Sequence, residues 1–492
     1  MKAPALPQFL EQAIGLLGEG AVKTAPSDLE PYCIDWRKRF FGRAAAMLFP
    51  ADTELLAKIV RLANYHQIAL VPQGGNTGLS GGATPDASGE QVIVSLQRLQ
   101  QVREQDAINK TLTVEAGVTL LRVQELADAM GLLFPLSLGA EGSATIGGNL
   151  ATNAGGTAVL RYGNARDLCL GIEVVTPTGE IWNGLRRLRK DNTGYDLRDL
   201  FIGSEGTLGF ITAAVLKLFP RPAGLMTALV RVGSAKDALA LLQIAQARCD
   251  AALTGFEYMS AQSVQVVIDY FPDVAKHGAQ IIGSAGLALS DSVLFEISHP
   301  ISEAAAKDML ESVITEAIGH GVASDAILAQ SMSQSKALWH LRETITLAAA
   351  EDGVQVKLDI AVPVSRLAEF ITEMDSELLA EFPGIRLHNF GHFGDGNLHY
   401  NLAAPQSLAQ GLAAEQRRAV YRTFIEQNEE VLRRKVHDRV VAFRGSISAE
   451  HGLGQLRKAE AKRYKDPLEW DLMRRIKVAL DPKGIFNPGK VL

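Results

Sequence analysis

At 492 residues the chain exceeds what one hydrophobic core supports, so two or more domains are expected. Its 47% apolar and 21% charged residues describe a globular protein, and a net charge of −6 argues against nucleic acid or an anionic membrane as the main partner. Three isolated cysteines, Cys33, Cys169 and Cys249, with no CxxC pair, fit a reducing compartment and speak against a disulfide framework or a cysteine metal site. The N-terminus carries Glu11 and Glu19 in place of a basic leader, and no long uncharged apolar run follows. The expected address is the cytoplasm, with no transmembrane segment and with peripheral membrane attachment left open.

Residues 5–17 read as a helix, with Leu6, Phe9, Leu10, Ala13 and Leu17 at helical spacing. A short apolar strand at 46–50 precedes a helix at 53–66, then a buried strand at 68–71. Strands are expected at 91–96 and 111–115 and a helix at 119–130, an alternation that predicts an α/β or α+β domain. From 133 to 218 glycine, asparagine and threonine crowd the chain and amphipathic helices are scarce, as in backbone shaped to lie against an extended ligand. Pro220-Arg221-Pro222 marks a boundary. Beyond it, strands are expected at 227–232, 253–258, 293–298, 355–361 and 385–391. Helices are expected at 235–248, 302–319, 330–350 and 364–380, and a long charged one at 410–436. This order predicts a second domain, a sheet with helices on one face.

The loop Val71–Gly82 follows a buried strand and holds five glycines, Gly74, Gly75, Gly78, Gly81 and Gly82. Their small size lets backbone N–H groups approach anionic oxygens closely. It is neither GxGxxG nor a Walker A loop, and a flexible linker is the plain alternative. A second cluster runs from Pro135 through Gly139, Gly142-Ser143-Ala144-Thr145, Gly147-Gly148-Asn149 and Thr152-Asn153-Ala154-Gly155-Gly156 to Arg161-Tyr162-Gly163. A third joins Asp191–Asp196 to Gly203-Ser204-Glu205-Gly206-Thr207-Leu208-Gly209.

These three clusters, in this order, resemble the FAD-binding domain of vanillyl-alcohol oxidase type flavoproteins, over residues from about 45 to 222. The resemblance implies that Pro72, Gly74, Gly75, Asn76, Thr77, Gly78, Ser80 and Gly81 hold the pyrophosphate. It implies that Ser137, Gly139, Gly142, Ser143, Thr145, Gly148, Asn149, Thr152, Asn153, Gly155 and Gly156 line the ribityl and isoalloxazine path and that Tyr162 also binds the cofactor. Glu205, Gly206, Gly209 and Ile211 would close over the adenosine end, and Phe486–Lys490 resembles the family's returning tail, with Asn487 near the flavin. Many relatives bond the flavin to a histidine of the first loop; here Asn76 and Thr77 stand there, which implies non-covalent FAD.

The stretch His388–Asn401 places three of the chain's ten histidines around Asp395-Gly396, a dipeptide that turns β-hairpins. If those two residues form the turn, His392 lies opposite His399, close enough for two imidazoles to share a metal ion. Histidines that cap turns or pack on a sheet are the alternative. Ser448-Ala449-Glu450-His451-Gly452 supplies a carboxylate and an imidazole side by side. Two histidines and a carboxylate form a common zinc set with an open position, and His451 would suit removal of a hydroxyl proton. A surface ion pair is the bland reading of Glu450-His451.

Residues 223–492 resemble the C-terminal half of FAD-linked D-2-hydroxyacid dehydrogenases. That implies His392, His399 and Glu450 as metal ligands, His451 as the catalytic base and Asn401 against substrate. Arg342 and Thr346, four apart on one helix face, and Lys357 on the next strand are similar to the residues with which D-2-hydroxyglutarate dehydrogenases grip a distal carboxylate; a solvated helix face is the alternative.

The expectation is an α+β protein with an FAD-binding domain at 1–222, a substrate and metal cap at 223–454 and a returning segment at 455–492. It would be an FAD- and metal-dependent dehydrogenase of a D-2-hydroxyacid, foremost D-2-hydroxyglutarate, with zinc favoured over manganese or iron. D-lactate or glycolate oxidation, or a flavin-bound partner subunit without activity, stand as alternatives. The electron acceptor (electron-transfer flavoprotein, quinone or cytochrome) and a homodimer are left open.

Overall fold

The computed structural model describes residues 5–274 and 290–492. Two compact units emerge. One comprises the chain up to Gly156, Gly163–Arg221 and Glu450–Leu492; the other comprises Thr157–Tyr162 and Pro222–Ala449. The segment 450–454, read from sequence with the cap, groups with the first unit.

The first unit opens on α1 (Ala5–Leu17), which buries Phe9 and Ala13. A four-stranded sheet follows, of β1 (Val22–Lys23), β2 (Ala46–Leu48), β3 (Leu70–Gln73) and β4 (Val92–Ser95) in the order β1-β2-β4-β3. Strands β2, β4 and β3 are parallel, so a crossover must join β2 to β3; α2 (Thr53–His66) provides it. The Asp52 carboxylate accepts the Leu55 N–H at 2.7 Å to start that helix, and Gln67 in the left-handed region (φ 57°) ends it.

A second, antiparallel sheet holds β5 (Val102–Asp106), β6 (Thr111–Glu115), β7 (Cys169–Val175), β8 (Ile181–Gly184) and β9 (Phe210–Lys217) in the order β5-β6-β9-β7-β8. Four of these five strands have no counterpart in the predicted elements. In β9 seven of eight residues are buried, a short apolar run whose glycine-rich flanks masked it. Strand β5, Val-Arg-Glu-Gln-Asp, is polar because Arg103 reaches inward to Glu115 and Glu173, each at 3.0 Å. The chain end completes this core, since Phe486 packs edge-on against Phe210 with centroids 5.1 Å apart.

The second unit is built on an antiparallel sheet of seven strands. These are β10 (Gly224–Val232), β11 (Leu253–Met259), β12 (Ser292–His299), β13 (Ala323–Leu328), β14 (Gln355–Ala361), β15 (Arg386–His392) and β16 (Asn397–Ala403), ordered β13-β10-β12-β11-β15-β16-β14. Helices α3 (Ala235–Cys249), α4 (Ala261–Tyr270), α5 (Glu303–Gly319), α6 (Met332–Asp352), α7 (Leu367–Glu381) and α8 (Ala414–Ala442) belong to this unit. Leu229, Met259, Leu294 and Phe390 pack against Val264 and Val267 of α4 and Leu338, Leu341 and Ile345 of α6. Val293, Phe295 and Ile297 project the opposite way from β12 and are also fully buried. The sheet is therefore covered on both faces, not on one as the element order suggested. Along α8, Tyr421, Ile425, Leu432, Val436 and Val440 form the buried face, and Arg439 pairs outward with Glu373 and Glu377 of α7.

Candidate functional site

In the first unit the three glycine-rich loops meet so closely that side chains are excluded. A Cβ on Gly75 would stand 1.9 Å from the Ser143 carbonyl oxygen, one on Gly156 2.2 Å from that of Ser137, and one on Gly206 2.6 Å from the Pro72 ring. Gly78, Gly139 and Gly142 instead have nothing within 4 Å of that position. The loops thus leave glycines facing space on either side of their contacts, the form of a cradle for an extended group.

Several polar residues of these loops are committed to the fold. Thr145 caps the helix Ile146–Ala151 by accepting the Gly148 N–H, and the Thr152 hydroxyl donates to the Gly148 carbonyl at 3.1 Å. Asn153, at φ 51°, accepts the Arg166 N–H at 3.0 Å, and the Ser137 hydroxyl donates to Glu141 at 2.6 Å. Asn76, also left-handed at φ 53°, donates to the Ile34 carbonyl. The Ser80 hydroxyl lies 3.1 Å from the His451 carbonyl and 3.2 Å from that of Gly452.

Glu205 sits at the centre of the third loop with φ 52°. Its carboxylate accepts the Leu453 N–H at 2.7 Å and the Gly454 N–H at 2.9 Å. Burial pushes this carboxyl up, against the lowering effect of those two amides. Asn487 closes the arrangement, donating to the carbonyls of Gly82 and Glu205 at 2.9 and 2.8 Å. The Asn487 Oδ1 and the Asn149 Nδ2 are buried with no protein partner among the described residues. Orphan buried amides require a ligand or water, so these residues fit a flavin nucleotide. Tyr162 folds with the second unit, where the Arg161 guanidinium lies 5.0 Å from its ring centre.

In the second unit the histidine hairpin forms with a different register. His399 pairs opposite Phe390 and Asn401 opposite His388, which centres the turn on Gly394-Asp395 rather than Asp395-Gly396. Gly391 (φ 150°) and Gly396 (φ 90°) bend the backbone, and the Asp395 carboxylate accepts the Asn397 N–H at 3.0 Å, an Asx turn that a two-residue hairpin lacks. The slip is two residues, an even number, so His392 stays on the same face as His399. Their ring centres lie 5.8 Å apart.

His392 has a further partner: its Nδ1 lies 2.6 Å from Glu257 Oε1, directly across the β11–β15 ladder. The other oxygen of Glu257 accepts from Arg342 Nε at 2.7 Å. Burial would raise the Glu257 carboxyl, but His392 and Arg342 outweigh it and hold it down to about 2. The proposed clamp arginine is therefore ion-paired inside the protein, with its guanidinium 5.0 Å from the Phe390 ring. Thr346 is exposed and Lys357 partly so. Lys357 stands opposite Asn401, and Asp359 opposite His399. Asp359 and His399 carry ligand atoms within 4.8 Å of each other, and so do Glu450 and His451 in the first unit; such carboxylate–imidazole donors suit a divalent cation. Glu257 and Asp359 were not singled out from sequence, although Asp359 is two residues from Lys357 and a lone acid amid Leu253–Met259 demanded a partner.

Two family models match the chain: the C-terminal domain of FAD linked oxidases over residues 221–491 and an FAD binding domain over 44–184. The chain is 37% identical over 483 residues to the D-2-hydroxyglutarate dehydrogenase of Xanthomonas citri pv. viticola, covering 98% of this chain and 96% of that one. Against the mitochondrial D-2-hydroxyglutarate dehydrogenase of Bos taurus it is 35% identical, covering 96% and 81%. Among solved structures it superposes on an alkyldihydroxyacetonephosphate synthase (TM-score 0.73, 18% identity, 98% and 84% covered). It also superposes on p-cresol methylhydroxylase with substrate bound (TM-score 0.73, 15% identity, 100% and 97% covered). These likenesses establish the α+β, vanillyl-alcohol oxidase type fold expected from the glycine clusters. No helix among the described residues is long and apolar enough to cross a membrane.

Proposed function

Because the chain belongs to the FAD-linked oxidases, in the branch that holds the D-2-hydroxyglutarate dehydrogenases, we propose that it oxidises D-2-hydroxyglutarate to 2-oxoglutarate. The observation that carries this is identity over nearly the whole chain to proteins of that name. Bound FAD supplies the hydride acceptor, and a divalent cation, zinc favoured, would polarise the substrate hydroxyl.

The protein's own residues have these roles. His392, His399 and Glu450 would hold the cation, and Asp359, opposite His399 on the sheet, would be a further donor. His451 takes the hydroxyl proton as the Cα–H leaves as hydride and the carbonyl forms. Asn401, Lys357, Thr346 and the outer edge of Arg342 receive the carboxylates. The glycine loops and Asn487 hold FAD without a covalent bond, since the segment 72–82 offers Asn76 and Thr77 but no histidine. The electrons then pass to a separate acceptor.

A second reading, D-lactate or another monocarboxylic D-2-hydroxyacid, is favoured by one observation: Glu257 already neutralises Arg342. Anaerobic addition of D-2-hydroxyglutarate, its L isomer, D-lactate and glycolate, followed by flavin absorbance, separates the readings. The expected result is rapid bleaching by D-2-hydroxyglutarate alone. Faster bleaching by D-lactate selects the second reading, and an unchanged spectrum with all four leaves only a flavin-binding subunit.

A further inference from the structure

We infer that Glu257 is a positioning residue that sets His392 and Arg342 together, so that cation affinity and preference for a dicarboxylate depend on one buried carboxylate. This deepens the functional reading above and rests on it.

Glu257 is 1% exposed and lies on β11 between the buried Phe256 and Tyr258. Each of its oxygens serves one partner, Oε1 facing His392 Nδ1 at 2.6 Å and Oε2 accepting from Arg342 at 2.7 Å. A carboxylate can only accept, so Nδ1 carries the proton and Nε2 becomes the lone-pair nitrogen, the tautomer a metal ligand on that side requires. On the other side, Glu257 engages Nε and Nη2 of Arg342. This fixes the plane of the guanidinium and turns Nη1 away from the pair. A buried ion pair such as Glu257–Arg342 stabilises a fold poorly beside apolar packing of the same volume. Its fully buried place on β11 is better explained by the work of its two partners.

The test uses purified holoenzyme and compares wild type with Glu257→Gln, which keeps the shape and loses the charge. Bound zinc is titrated against a chelator, and kcat/KM is measured for D-2-hydroxyglutarate and D-lactate. With FAD content and circular dichroism unchanged, zinc affinity should fall about 10- to 100-fold, the range seen for such outer partners, and the ratio of the two kcat/KM values at least about tenfold. Glu257→Asp, which restores the charge, should recover part of both, and it replaces the Gln variant if that one fails to fold. Wild-type zinc affinity or wild-type preference in Glu257→Gln overturns the inference, because both effects are assigned to one group. A wild-type enzyme that binds no zinc and is bleached by no D-2-hydroxyacid overturns the functional reading itself, and this inference with it.

Discussion

Asn487 donates through a single amide to the carbonyls of Gly82 and Glu205, at 2.9 and 2.8 Å. One side chain five residues from the chain end thereby ties the first glycine loop to the third. Its own backbone is left-handed at φ 42°, and its N–H donates to Leu70 at 2.8 Å. Asn487→Ala removes both side-chain bonds and leaves the part-buried Gly82 carbonyl and the buried Glu205 carbonyl short of a donor, a loss on the order of 2 kcal/mol. The expected outcome is a lower melting temperature and weaker FAD retention on gel filtration. Retention and melting equal to wild type would show that the tail does not close the cradle.

Two glycines of the same loop should respond oppositely. Gly75→Ala puts a methyl 1.9 Å from the backbone oxygen of Ser143, a contact that no side-chain motion can relieve, so the apoprotein itself should be destabilised or insoluble. At Gly78 nothing lies within 4 Å. Gly78→Ala should leave the apoprotein's denaturation unchanged and weaken FAD binding, read as a raised dissociation constant in flavin fluorescence titration. If Gly78→Ala binds FAD as wild type does, the open side of the loop is not the cofactor side.

These residues also show what the sequence disclosed. The glycine clusters and the tail were legible because close backbone approach leaves glycine no substitute, and that constraint is written directly in residue type. The helices at 5–17 and 53–66 and the strand at 355–361 were legible through spacing and match the observed limits. Strands Cys169–Val175 and Phe210–Lys217 were not, since glycine-rich surroundings outweighed two short apolar runs. The hairpin was half legible. Asp-Gly announced a turn, but the Asx bond from Asp395 and the bend at Gly391 moved its centre by one position, which strand periodicity cannot reveal. The engagement of Arg342 by Glu257 spans 85 residues and follows only from the packing of α6 against β11.

The pairing of Lys357 with Asn401 yields a cleaner specificity test than Arg342. Replacing Arg342 would strand the buried Glu257 carboxylate and cost several kcal/mol of stability for reasons unrelated to substrate. Lys357 is only partly buried, so Lys357→Met should cost far less stability than the loss of Arg342. It should raise KM for D-2-hydroxyglutarate at least about tenfold, with little change for D-lactate. Equal effects on both substrates would remove Lys357 from the distal carboxylate.

Asp375 supplies a pH prediction away from the site. Its carboxyl accepts from Asn389 at 3.1 Å and from the Tyr400 hydroxyl at 2.5 Å. Burial raises it to about 6, those two donors pulling the other way and the Asp291 charge adding to the rise. The folded chain thus binds this proton more tightly than the unfolded one, whose carboxyl titrates near 3.8. Between roughly pH 4 and 6 the native state holds more protons, so stability falls as pH rises through that window and the loss persists above it. The full difference is on the order of 2–3 kcal/mol. Asp375→Asn keeps an acceptor for both donors and never ionises, so its stability relative to wild type should climb from pH 4 to 6 and then level off. Urea denaturation of both proteins at pH 4.5, 5.5, 6.5 and 7.5 measures this. Curves that run parallel across the series would mean that Asp375 stays ionised in the native state and that Tyr400 and Asn389 offset its burial in full.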